Sequence, residues 1–269
     1  MSLRDAATVV LVRDAAPGFE VFMLLRTVRS DFNAGAYVFP GGAVDRGDAD
    51  AAQRLCSGLD DAQASARLGL TGGGLAFYLA AIRECFEEAG VLLAADAAGR
   101  TLSLHEPAVQ RRFAEYRQAL NAGQTTLADI CARERLCLPL GAVHYYAHWI
   151  TPAGMPRRYD TRFFLCRAPA GQEPLHDGQE TVDHCWVRPV HALARHAEGG
   201  FNLVPATRKQ LEFLARFADS DSLLEHVAAL RDIPAIQPQL ILGADGRPER
   251  VYLPLPEGPE EIDLRGVAL

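Results

Sequence analysis

The run Arg83-Glu84-Cys85-Phe86-Glu87-Glu88-Ala89-Gly90-Val91 constrains this chain more than any other segment. Leu75, Leu79, Ile82 and Phe86 recur at helical intervals, so residues 75–89 are expected to form a helix with a buried stripe. Gly90 falls where a helix ends on a residue tolerant of positive φ. On that helix Glu84, Glu87 and Glu88 occupy positions i, i+3 and i+4 and project from one face. Three carboxylates gathered there repel one another unless a cation neutralises them, and hard oxygen ligands suit Mg²⁺ or Mn²⁺, which commonly bridge to phosphate oxygens. The plainer reading is a solvated acidic face on which Arg83 pairs with Glu87 one turn on. The upstream segment Asn33-Ala34-Gly35-Ala36-Tyr37-Val38-Phe39-Pro40-Gly41-Gly42 favours the metal reading. Gly41 and Gly42 can turn a strand end sharply and let backbone N–H groups approach an anion.

These residues resemble the signature of the Nudix hydrolases, in which a glycine and a spaced acid precede Arg-Glu-apolar-x-Glu-Glu-x-Gly-apolar. Arg83 to Val91 matches the second half, with Cys85 as the small apolar member. Gly42 is followed by five residues and then Asp48, an acid one methylene shorter than the family's glutamate. Residues 49–82 stand where the family has a short spacer, and an interrupted box of this kind is similar to the peroxisomal coenzyme A diphosphatase branch. The likeness extends to His148-Trp149-Ile150-Thr151-Pro152, to Arg157 through Phe164, to Asp177-Gly178-Gln179-Glu180-Thr181 with Trp186 and Pro189, and to Leu203-Val204-Pro205-Ala206-Thr207. It covers residues 6 to about 214. A second motif, associated with coenzyme A hydrolysis, is half present. Its ends fit Leu24-Leu25-Arg26-Thr27-Val28-Arg29-Ser30 and Gly35 to Gly42, but the spacing is shorter and the intervening arginine is absent.

At 269 residues, the chain can bury a substantial core as one elaborated domain. The expected organisation is a single domain over residues 1–269. Helical insertions are expected at about 49–74 and 105–136, with a helical and hairpin extension at about 205–269. A net charge of −7 argues against nonspecific nucleic-acid binding, which needs a basic footprint. No apolar run reaches a membrane span, the N-terminus lacks a signal-peptide pattern, and the last four residues do not form a Ser-Lys-Leu type of peroxisomal address. Cys56, Cys85, Cys131, Cys137, Cys166 and Cys185 include no C-x-x-C pair, so reduced thiols in a cytoplasmic protein are expected. His144 and His148 lack the context of a zinc motif, and Gly72-Gly73-Gly74 lacks the Gly-Lys-Ser/Thr of a phosphate loop.

Apolar runs at residues 7–13 and 19–26 predict a hairpin across Ala15-Ala16-Pro17-Gly18, and residues 35–39 a short strand. One or two helices are expected in 49–68, then helices at 105–121 and 126–136. Strands are expected at 142–150, 158–166 and 181–187, helices at 206–217 and 222–230, and a last hairpin from 237–242 and 249–253. Strands with helices on both sides suggest an α/β architecture, and the resemblance implies the Nudix α/β/α sandwich with a mixed sheet.

The resemblance also implies the chemistry. Breaking a diphosphate requires cations on its oxygens and a base for the attacking water. Glu84, Glu87 and Glu88 are assigned to Mg²⁺ or Mn²⁺, with Asp48 as a further ligand and Arg83 holding a carboxylate in place. In the family the base comes from the box helix or from a later loop, and Glu180 is the later acid expected to act as base. Gly41 and Gly42 are expected to shape the substrate loop, and Arg157, Arg158 and Arg162 to supply phosphate contacts. Strand alternation puts Arg158 and Arg162 on one face and Arg157 on the other. The expected substrate is a nucleoside diphosphate linked to another moiety, with coenzyme A or acyl-coenzyme A leading. An ADP-ribose or NADH pyrophosphatase and a non-catalytic nucleotide-binding module are the alternatives, and a homodimer stays open.

Overall fold

The computed structural model describes residues 3–28 and 33–264; Arg29 and Ser30 of the second motif and residues 266–269 lie outside them. The chain runs β1 (Arg4–Asp14), β2 (Phe19–Arg26), β3 (Tyr37–Val38), β4 (Gly41–Ala43), α1 (Asp48–Leu55), β5 (Cys56–Ser57), α2 (Asp61–Leu68) and α3 (Gly74–Ala89). Next come β6 (Ala95–Asp96), α4 (Pro107–Asn121), α5 (Leu127–Glu134), β7 (Leu136–Pro139), β8 (His144–Ile150), β9 (Tyr159–Arg167) and β10 (Thr181–Val187). The remainder is α6 (Pro189–Ala197), α7 (Pro205–Leu214), α8 (Ser220–Ala229), β11 (Ala235–Ile236), β12 (Gln239–Leu242), β13 (Pro248–Leu253) and β14 (Glu260–Asp263).

The main sheet has the order β10-β2-β1-β9-β8-β11, with β1–β9 parallel and β1–β2 antiparallel. Successive side chains of a strand point to opposite faces, and here both faces are buried. Ala7, Val9 and Leu11 of β1, Phe22 and Leu24 of β2 and Phe164 of β9 pack on one side with α3. Val10 and Val12, Val21 and Met23, and Phe163 and Leu165 pack on the other with Leu211 and Leu214 of α7 and Leu223 and Val227 of α8. This is the expected α/β/α sandwich. It also explains why β1 and β2 read as unbroken apolar runs rather than alternating ones.

The sheet is split where the site forms. β1 pairs with β2 near Val12 and Val21, but its first half pairs instead with β4, Ala7 opposite Gly42. β2 meanwhile pairs with β3, Leu24 opposite Val38. The β3–β4 segment is thus wedged between two strands that begin as a hairpin. Gly41 is required by this wedge, because a Cβ there would lie 2.6 Å from the Ala7 carbonyl oxygen and 2.7 Å from Thr8 Cα.

α3 is more deeply enclosed than a one-stripe helix. Of its 16 residues, all except Glu84 and Glu87 are buried. Its stripe faces the sheet, and α1, α2 and α4 cover the rest. The expected insertions supply these covers. They are also joined, since β5 pairs with β7 and β7 with β6 in a small three-stranded sheet.

The first insertion caps α3. Asp61 accepts the Gly73 and Leu75 N–H groups at 2.9 and 3.0 Å, and Ser65 Oγ accepts the Gly74 N–H at 2.9 Å. These N–H groups have no partner inside the helix. Gly74 packs so tightly on α2 that an added Cβ would meet Ser65 N at 2.3 Å. No helix among the described residues is long and apolar enough to cross a membrane.

Candidate active site

The solvated side of α3 opens into a cleft of about 670 Å³ beside the split in the sheet. Glu84 and Glu88 line it together with Gly41, Gly42, Arg26 and Glu180. Its far end is apolar, walled by Trp149, Met155 and Phe163 from β8, β9 and their loop, and by Leu240, Val251 and Leu264 from the C-terminal segment.

Arg83 organises the acidic end. Its Nε and Nη2 donate to Asp48 at 3.1 and 3.0 Å, and Nη2 also donates to the Ala43 carbonyl at 2.8 Å. Nη1 donates to Glu84 at 2.8 Å and Glu87 at 3.0 Å. Every N–H of the guanidinium therefore has an acceptor, a fork that lysine cannot reproduce. Paired with three acids, Arg83 is held more firmly protonated than a free arginine, despite its burial.

Glu88 turns the other way, accepting the Gly41 N–H at 2.9 Å, with Arg26 Nη1 at 3.8 Å. Burial pushes Glu88 up to about 8, aided by the neighbouring charge of Glu84. Burial likewise raises Glu84 to about 7, against the opposing pull of Arg83, and raises Glu87 as well. The Glu84 carboxylate lies against Gly42, where an added Cβ would come within 2.5 Å of its oxygen. Gly42 is therefore the space that Glu84 occupies.

The trio shares one side of α3, but Arg83 Nη1 holds Glu84 and Glu87 while the Gly41 N–H draws Glu88 away. Among the described residues, the three groups whose ligand atoms all fall within 4.8 Å of one another are instead His176, Asp183 and His184. The glutamates nonetheless fit a hard divalent cation. They offer only oxygen, and a cation would relieve buried carboxylates that resist ionisation.

Three expected site residues are engaged by other partners in the structure. Asp48 is 4% exposed in the first turn of α1, with one oxygen on Arg83 Nε and the other on Arg83 Nη2 and the Asp45 N–H. Its shorter side chain reaches the arginine behind the glutamates and anchors it there. Arg158 donates through Nε to the Thr151 and Pro152 carbonyls and fixes the β8–β9 loop. Arg162, 4% exposed, pairs with Asp160 and stacks over Phe77, on the sheet face away from the cleft. Arg157 lines the cleft with Tyr159, Thr161 and Phe163, following the expected alternation.

Glu180 stands at the cleft mouth, its side chain 66% exposed, with Arg26 Nη2 at 3.5 Å. Arg26 thus lies between Glu88 and Glu180, a role the sequence reading missed. Its one signal is an arginine ending the apolar run of β2.

A trio of glutamates on one helix, two held by Arg83 and the third by the backbone of a glycine wedge, within this sandwich, defines the Nudix class, and the chain belongs to the Nudix hydrolase family. A family model described as the NUDT19 Nudix domain matches residues 60–214. The chain is 29% identical to the acyl-coenzyme A diphosphatase NUDT19 of Gallus gallus, over 90% of its length and 76% of that protein. It is also 29% identical to the Homo sapiens protein of the same name, over 86% and 70% of the two chains. The crystal structure of a NUDIX hydrolase from Alicyclobacillus acidocaldarius superposes with a TM-score of 0.69 at 27% identity, covering 84% of this chain and 96% of that one. Nudix hydrolases generally use divalent cations.

Proposed function

We propose that this enzyme hydrolyses the diphosphate of coenzyme A or an acyl-coenzyme A, releasing 3′-phospho-AMP and the phosphopantetheine portion. The observation that carries the reading is one cleft with an acidic end at α3 and an apolar end at the C-terminal segment. Such a cleft matches a substrate that joins a highly charged diphosphate to an uncharged tail. The names of the relatives point the same way.

Glu84, Glu87 and Glu88 would hold Mg²⁺ or Mn²⁺. When bound, the cation supplies charge neutralisation at the phosphate oxygens. The remaining work falls to the chain. Arg83 fixes the rotamers of Glu84 and Glu87 from behind, with Asp48 fixing Arg83 in turn. Arg157 and Arg26 bring cationic groups to the cleft wall for phosphate oxygens. Glu180, exposed at the mouth, is the acid left to take a proton from the attacking water when the helix glutamates are engaged.

The test is turnover of coenzyme A, palmitoyl-coenzyme A, ADP-ribose, NADH and dinucleoside polyphosphates with Mg²⁺ or Mn²⁺. Coenzyme A or its acyl form should be cleaved with the highest kcat/KM. Brisk ADP-ribose cleavage without coenzyme A turnover would reject the substrate.

A further inference from the structure

We propose that His176, Asp183 and His184 form a second cation site, for a transition-metal ion such as Zn²⁺, which clasps the turn that carries Glu180. The imidazoles face each other, with His176 Nδ1 and His184 Nδ1 2.8 Å apart and ring centroids at 5.0 Å. Asp183 completes a set whose ligand atoms all lie within 4.8 Å of one another. A tetrahedral ion with bonds of about 2.0–2.1 Å holds two nitrogens roughly 3.4 Å apart, so the pair has only to open by a fraction of an ångström.

Consecutive residues of a regular strand point to opposite faces, and Asp183 and His184 are consecutive in β10, beyond the register shift between Thr181 and Asp183. The Asp183 carboxylate joins the set by folding back to accept the His184 N–H at 2.8 Å.

The site spans a compact turn. Asp177 accepts the Thr181 N–H at 2.8 Å and the Glu180 N–H at 3.1 Å, and Gly178 N donates to the Thr181 carbonyl at 3.0 Å. His176 precedes this turn and His184 follows it, so an ion bridging them closes its base. Next to His176, Leu175 N donates to the Ala89 carbonyl at the end of α3. The clasp therefore ties the Glu180 turn to the strand edge beside the helix of glutamates. Ligand chemistry separates the two sites. Imidazole nitrogens favour Zn²⁺, whereas Mg²⁺ prefers oxygen and gives up its waters reluctantly.

Zinc affinity, measured by competition with a chromophoric chelator in excess Mg²⁺, tests the site without reference to activity. Wild type and Glu88→Gln should each take up one equivalent. His176→Ala and His184→Ala should bind at least about tenfold more weakly. His176 lies outside any helix or strand, so its variant guards against a folding defect in the strand variant. Zn²⁺ should also slow proteolysis at residues 178–179 in wild type but not in His176→Ala. Unchanged affinity in both histidine variants, loss of the equivalent in Glu88→Gln alone, or a turn cut equally fast with and without Zn²⁺ would each overturn the proposal.

Discussion

The two ends of the cleft are built on different principles. The acidic end comes from one helix and one glycine wedge, with its three glutamates within five residues of one another and contacts that tolerate no added atom at Gly41. The apolar end is assembled from the β8–β9 loop, β9, β12, β13 and Leu264, segments separated by up to a hundred residues or so. On the proposed function, the first end would fix the reaction and the second what is attached to the diphosphate. Substitutions at the acidic end should therefore lower kcat or stability for every substrate, whereas those at the apolar end should discriminate among tails.

The largest effect is expected from Arg83→Ala. It strands Asp48 as a buried charge and should destabilise the protein by about 3–5 kcal/mol in urea unfolding, with Arg83→Lys recovering part of the loss. Glu88→Gln and Glu87→Gln should reduce kcat by about 10²–10³-fold at saturating Mg²⁺, with circular dichroism unchanged. A rate close to wild type in both would remove the glutamates from the reaction. The paired glycines separate stability from activity. Gly41→Ala meets backbone and should cost roughly 1–3 kcal/mol of stability. Gly42→Ala meets the movable carboxylate of Glu84, so activity should fall more than the melting temperature.

At the other end, Leu240→Ser should raise KM for a long acyl-coenzyme A by roughly tenfold and leave free coenzyme A unaffected. Equal effects on both would dissolve the distinction between the ends. The smallest effect belongs to Asp61→Ala, worth about 1 kcal/mol through the lost cap. N–H donors from Leu75 and Gly73 hold Asp61 below its ordinary 3.8. A depressed carboxylate contributes stability that is complete above that value and disappears as pH falls through the folded pKa. The gap in urea midpoint between wild type and Asp61→Ala should therefore be constant above about pH 5 and narrow as pH falls below the ordinary carboxylate value and through the folded one.

What could be read from the sequence divides along the same line. The β1–β2 hairpin, α3, β8, β9, β10 and the β12–β13 hairpin follow from short-range patterns, and the structure places each within a few residues of expectation. α6 was missed because it is only nine residues long and the residues it buries, Pro189 and Ala192, are small, so its two-sided pattern carries little apolar bulk. β4 was missed because its partner β1 lies far upstream, and β14 because Glu260–Asp263 is acidic and has a single apolar residue. The Arg-Glu-x-x-Glu-Glu run located the acidic end. Spacing alone could not show that Asp48 begins a helix and turns to Arg83, nor that Arg162 faces Phe77. The role of Arg26 could not be read from its place at the end of the apolar run of β2, because its partners, Glu88 and Glu180, are remote in the chain.

The insertion that divides the Nudix box also holds the front of α3, through Asp61 and Ser65. An engineer who trimmed residues 49–73 to restore a compact signature would leave the first turn of α3 with open donors, free to fray. The lengthened spacer thus works as a jig for the helix it interrupts. Shortening it would blur the aim of carboxylates that lie, by count of turns, almost a full helix length away.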